Sequence, residues 1–167
     1  MTSTTAPELH IRPAQPSDWP VLVDFNSRLA EESEGKLLDR AHLVPGVQAL
    51  LADPSKGRYF VAEKAGQIVG QLMHTREWSD WRNGDIWWLQ SVYVHPDHRR
   101  QGVFRALFEH LQTEAQTNPQ VVGLRLYVEQ DNTRAHATYA SLGFDPGGYF
   151  VLEQWHRRAV RQQTGSE

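Results

Sequence analysis

The chain has no cysteine among its 167 residues. That absence removes disulfides, thiolate metal ligands and a cysteinyl-acyl intermediate together, and it leaves a stapled, secreted fold unsupported. An excess of positive charge is missing as well. With 17 Lys and Arg against 20 Asp and Glu the formal charge is -3, so the overall field repels a nucleic-acid backbone and no nucleic-acid partner is expected. No stretch approaches the roughly 18 apolar residues that a membrane span needs. Met1 to Pro7 is polar and small rather than basic and then apolar, so neither membrane insertion nor targeting is expected. A cytoplasmic address follows as the natural expectation. The Gly-x-Ser-x-Gly turn of a serine hydrolase is absent too.

What is present, 40% apolar and 22% charged residues, fits a single α/β domain over 1–167, with 1–7 and 157–167 as frayed polar ends. Leu9 to Arg12 alternates like a strand. Ser17-Asp18 before Pro20 starts a helix whose inner face is Leu22, Phe25 and Leu29, broken near Gly35. A second helix begins near Asp39 and stops at Asp53-Pro54, with Pro45 placed to kink or divide it. Arg58–Lys64 and Gln67–Thr75 flank Ala65-Gly66 and read as an antiparallel hairpin. Glu77 to Gly84 reads as a loop, Asp85–Val94 as a strand, Gly102 to Thr117 as a helix and Val121–Val128 as a buried strand. Thr133 to Leu142 reads as a helix closed by Gly143, and Tyr149–Glu153 as a last short strand. The expected order is β-α-α-β-β-β-α-β-α-β.

The strongest local signal is Ser91-Val92-Tyr93-Val94, then His95-Pro96-Asp97-His98-Arg99-Arg100-Gln101-Gly102-Val103, then a helix. A glycine where strand turns into helix lets main-chain amides approach a ligand. The open N–H groups of a helix start favour anions, and two adjacent arginines add charge-assisted bonds, so a phosphate or pyrophosphate suits the turn. A solvated basic turn is the competing reading of the same residues. His95, Asp97 and His98 raise the question of a metal, but they sit in a turn beside arginines with no fourth ligand implied, and none is expected. The second signal is Asn132-Thr133-Arg134-Ala135, then Tyr139, then Gly143-Phe144. Taken alone, Tyr139 is an aromatic on the inner face of its helix.

Together, Val92-Tyr93-Val94, Arg99-Arg100-Gln101-Gly102, and Asn132, Ala135, Tyr139, Gly143 and Phe144 resemble, in order and spacing, the cofactor half of the GNAT acetyltransferases. The resemblance covers Asp85 to Glu153. It implies a central mixed, mostly antiparallel sheet flanked by helices, and transfer of acetyl from acetyl-CoA to an amine by direct attack in a ternary complex, with CoA as product. It further implies that main-chain groups of Val92 and Val94, on either side of Tyr93, bond the pantetheine arm as an added strand. The amides of Arg100, Gln101, Gly102, Val103, Phe104 and Arg105, in the turn opened by Arg99, would cradle the pyrophosphate, and Asn132 would bond the pantetheine. Tyr139 becomes the general acid, because a phenol of ordinary pKa about 10 can protonate a departing thiolate without being ionised at neutral pH.

Two departures accompany the resemblance. Phe104 stands where the family most often has glycine or alanine, and Gln90 where many members carry a proton-accepting glutamate or histidine. The base is therefore left open among Glu31, Glu32, Glu34, Glu77 and Asp80, or the amine arrives neutral. Acidic and aromatic residues, Glu31, Glu32, Glu34 and Asp39 with Trp78, Asp80, Trp81, Trp87 and Trp88, suggest a cationic small-molecule or peptide amine as acceptor; solvated charges and packed tryptophans are the alternative. A non-catalytic acyl-CoA sensor would keep the Gly102 turn without needing the phenol of Tyr139. The oligomeric state is open, a homodimer included.

Overall fold

The computed structural model describes residues 8–156; the polar ends expected to fray lie outside the described residues. These divide into two compact units after Leu126. In the first, β1 (Leu9–Pro13) is followed by α1 (Trp19–Glu34), α2 (Arg40–Ala52), β2 (Arg58–Lys64), β3 (Gln67–Ser79), β4 (Gly84–Val94), α3 (Val103–Thr117) and β5 (Val121–Leu126). The second contains α4 (Thr133–Ser141). Sheet order follows chain order from β1 to β5, antiparallel throughout except for the parallel β4–β5 pair.

Strand alternation divides the core in two. Tyr59, Val61 and Met73 face α1 and α2 and pack with Leu22, Val23 and Val47. Phe60 and Leu72, on the opposite pleat, are fully buried, as are Leu107 and Leu111 of α3. Helix α1 ends at Gly35, whose φ of 63° is left-handed, with Gly35 N–H bonding to Glu31 O and Lys36 N–H to Ala30 O, the paired closure that satisfies otherwise orphaned carbonyls. Asp39 caps α2 by accepting the Ala41 N–H at 2.9 Å. The helix continues through Pro45 without dividing. At the β2–β3 hairpin Ala65 and Gly66 take φ of 51° and 76°, the two positive angles of a tight two-residue turn.

Three expectations change. The stretch from Glu77 is not all loop: β3 runs on to Ser79, because Trp78 pairs with Asp85 and Ser79 with Gly84. Strand β5 stops at Leu126 rather than Val128, where its ladder with β4 ends at Leu89. Tyr149–Glu153 does not form the last strand. Its composition suits one, but among the described residues the second unit holds no other strand to supply a ladder, and Tyr149, Phe150, Val151 and Leu152 are exposed. No described helix is long and apolar enough to cross a membrane.

Candidate active site

Strand β4 changes character at Ser91. Gln71 pairs with Tyr93 and Met73 with Gln90, so four β4 residues oppose three on β3 and the strand bulges by one residue. Ser91 itself sits at φ 50°, a left-handed angle that a non-glycine residue adopts only when its surroundings enforce it. Pairing to β5 has already stopped at Leu89. The segment Val92–Val94 therefore has β3 along one edge and no β5 partner along the other, which leaves main-chain donors and acceptors for an added strand.

Beyond Val94 the chain makes a short 3-10 turn at Pro96–His98 and enters α3 through Arg100 at φ 60° and Gly102 at φ 81°. Positive angles at both positions bring successive amides to one side. A Cβ built on Gly102 meets nothing within 4 Å, so space before the helix is open and the angle alone calls for glycine. Gln101 donates to Asp97 O at 2.8 Å and accepts from Lys64 Nζ at 3.1 Å. Arg100, Gln101 and Arg105 are exposed, and Val103 is buried. The Phe104 ring lies near Phe108, centroids 6.2 Å apart, and is half-buried.

Arg99 is committed elsewhere. Its Nε donates to Val94 O at 2.9 Å and its terminal nitrogen to Glu32 at 2.6 Å, while Tyr93 Oη donates to the other Glu32 oxygen at 2.8 Å. Partial burial pushes the Glu32 carboxyl up, but the bonds from Arg99 and Tyr93 outweigh it and hold the carboxyl below its ordinary range. Burial and that same carboxylate raise the Tyr93 hydroxyl. Arg99 thus fastens the turn to the end of α1 rather than extending a free cation.

In the second unit Asn132 caps α4, its Oδ1 accepting the Ala135 N–H at 3.0 Å, which leaves the amide nitrogen out of the cap. Tyr139 is half-buried, with its ring 5.8 Å from Phe144 in an edge contact. Burial raises its hydroxyl above the ordinary 10, so it is fully protonated at neutral pH.

On the α1 face of β4, Gln90 donates to Thr75 Oγ1 at 2.7 Å, and its amide cannot accept the proton of an ammonium. Glu77 is held by Arg125 at 3.1 Å and by the Trp88 indole N–H. Trp78 and Trp81 are exposed. Trp87, expected with Trp78, Trp81 and Trp88 on the acceptor side, projects instead to the α3 face and stacks on His74 at 4.1 Å. A cleft of about 320 Å³ on this opposite face, lined by Arg58, His74, Arg76 and Trp87, includes none of the residues expected to bind the cofactor or to act as acid. Among the described residues no three His, Asp or Glu side chains converge as a metal site; His95 accepts the Asp97 N–H instead.

Two residues missed in the sequence shape this region. Gly70 lets α3 approach β3, since a Cβ there would lie 2.8 Å from Val103 Cγ1. Gln71, fully buried, bonds Ser91 O at 3.0 Å. Glycine inside a strand is a sequence signal of close approach; nothing in the sequence singles out Gln71.

The chain is similar to known proteins. The sequence pattern described as the acetyltransferase (GNAT) family matches residues 19–144. A solved structure described as a possible acetyltransferase from Clostridium difficile superposes with a TM-score of 0.84 and 44% identity, covering 89% of this chain and 97% of that one. The [ribosomal protein bS18]-alanine N-acetyltransferase of Salmonella typhimurium is 40% identical over 76 residues, 43% of this chain and 51% of its own length. Its Escherichia coli counterpart is 46% identical over 57 residues, 34% and 38% of the two chains. The match thus spans about half or less of the curated relatives. A pattern that runs from the start of α1 past the end of α4, over a strand, turn and helix arranged as described, establishes that the chain belongs to the acetyltransferase (GNAT) family.

Proposed function

We propose that the chain is an N-acetyltransferase that moves acetyl from acetyl-CoA to a primary amine, with both units acting as one domain in the cytoplasm. The observation that carries this reading is the bulge at Ser91, which leaves the Val92–Val94 edge open one turn before the positive-φ entry to α3 at Arg100 and Gly102. The open space beside Gly102, where an added Cβ meets nothing within 4 Å, supports placing the pyrophosphate there.

When bound, acetyl-CoA supplies an acetyl group activated as a thioester. Main-chain groups of Val92 and Val94 would hold the pantetheine arm, and the Asn132 amide nitrogen would be a further donor to it. The first amides of α3 have no intrahelical partners and meet the pyrophosphate with their dipoles aligned. The amine would attack the thioester carbonyl directly, the C–N bond forming as the C–S bond breaks; Tyr139 would give its proton to the leaving sulfur, and the proton released by the nitrogen would restore the phenol directly or through water. Gln90 cannot act as base, and Glu32, Glu77 and Glu34 are held by Arg99, Arg125 and Lys36; the base is then Glu31 or Asp80, or the amine enters in its neutral form, the form we propose. kcat/KM therefore rises about tenfold per pH unit until the acceptor amine's own pKa is reached.

The acceptor is a primary amine of a cationic small molecule or peptide, its reacting nitrogen losing the ammonium proton to water before attack. Because the curated relatives are named for acetylating an alanine of a ribosomal protein, a peptide N-terminus is the first to try. The test is thiol release from acetyl-CoA across a panel of amines that includes alanine-initiated peptides. Release that depends on an amine supports the enzyme. Tight CoA binding with no turnover on any amine replaces it with a sensor.

A further inference from the structure

The bulge in β4 is held by a polar chain that crosses four elements. Gln71 on β3 donates from one amide nitrogen to Ser91 O at 3.0 Å and to Asn26 Oδ1 of α1 at 3.1 Å. Asn26 donates in turn to Tyr59 Oη on β2 at 2.9 Å. Gln71 is fully buried, and Asn26 and Tyr59 nearly so. Two of these acceptors, a carbonyl and an amide oxygen, fix the nitrogen of Gln71 in place, which leaves Gln71 Oε1 buried with no partner. An orphaned acceptor is costly in a core. A residue that only filled space here would be better as methionine or leucine.

What this arrangement achieves is local. Ser91 at φ 50° is strained, and strain of this kind persists only where neighbours over-determine it. Gln71 also sits where the register shifts, paired with Tyr93 in the segment that the bulge offsets. We infer that Gln71 is a positioning residue: by clamping Ser91 in the bulged geometry it sets the direction of the Val92 and Val94 main-chain groups. This rests on the reading of that edge as the cofactor's. Only a side chain with two N–H donors at this distance can serve a carbonyl and the Asn26 oxygen together.

The test is calorimetric titration of the full chain with CoA, alongside thermal melts, for the parent, Gln71→Met, Tyr59→Phe, and each variant combined with Ser91→Gly. Gln71→Met should fold and bind CoA about 10-fold more weakly or worse, the scale of one lost buried hydrogen bond. Ser91→Gly should return most of that affinity, because glycine takes the left-handed angle without a clamp. A merely structural role would lower the melting temperature and leave affinity unchanged. Affinity within about twofold of the parent, or a loss that Ser91→Gly does not reverse, overturns the inference. If Gln71→Met fails to fold, Tyr59→Phe, which removes only a hydroxyl, carries the comparison: about threefold weaker binding reversed by Ser91→Gly supports the clamp, and unchanged binding overturns it. Absence of CoA binding by the parent removes the functional reading and this role with it. A binding parent with an unaffected variant removes this role alone.

Discussion

Gly70 of β3 and Val103 of α3 lie so close that a Cβ added to the glycine would fall 2.8 Å from Val103 Cγ1 and 3.2 Å from Tyr93 O. No ordinary packing contact is that short, so the Val103 side chain, or α3 that carries it, must shift if the position gains a methyl. Gly70→Ala should cost about 1–3 kcal/mol of stability, measured by urea denaturation, and should weaken CoA binding as well. Gly123→Ala on β5, where a Cβ meets nothing within 4 Å, is the control and should stay within about 0.5 kcal/mol. Equal stability of the two variants would show that close approach is not what seats α3.

Stability should depend on pH through His74. The ring is buried between Trp87 and Phe60, at 4.1 and 6.1 Å. Burial first, and the charge of Arg76 second, lower its pKa to about 4, against ~6.5 in an unfolded chain. Between those values the unfolded chain holds a proton that the folded one does not. Stability is therefore complete above the upper value and falls as pH drops through the window, by up to about 1.4 kcal/mol per unit. Urea midpoints at several pH values across it should show this slope, and His74→Phe should flatten it. An unchanged slope in the variant would assign it to other groups.

Much of the frame was legible in the sequence. The hairpin at Ala65-Gly66, the stop at Gly35 and the strand, turn and helix around Gly102 all rest on local rules of backbone angle and periodicity, and the structure follows them. What was not legible depends on partners distant in sequence. Ser91 is not a residue that announces a left-handed angle; its carbonyl is bonded by Gln71 of β3, which is tied in turn to Asn26 and through it to Tyr59, partners far away in sequence. Arg99 read as a candidate anion ligand, and only the fold shows Glu32, from the other end of the sequence, holding it. Tyr149–Glu153 has the composition of a strand, yet a strand needs a ladder as well as β-forming residues.

Tyr139→Phe separates enzyme from sensor. It removes one hydroxyl and almost no volume, so packing against Phe144 and affinity for CoA should change little. The departing thiolate would lose its proton donor. With an acceptor in hand, kcat should fall by ~10²–10⁴-fold while CoA affinity stays within a few-fold. Turnover at the parent rate across the accessible pH range would remove Tyr139 from the acid role.

The central claim is that the β4 edge and the Gly102 turn hold CoA, and calorimetric titration of the folded chain with CoA measures it without need of an acceptor. The account predicts saturable heat with CoA and acetyl-CoA and none with a nicotinamide dinucleotide, since the turn lacks Gly-x-Gly-x-x-Gly spacing. Gly102→Asp, which places a carboxylate in the open space before α3, should abolish most of that heat while the chain still folds. No detectable heat with the parent chain at millimolar CoA, or full affinity in Gly102→Asp, would contradict it.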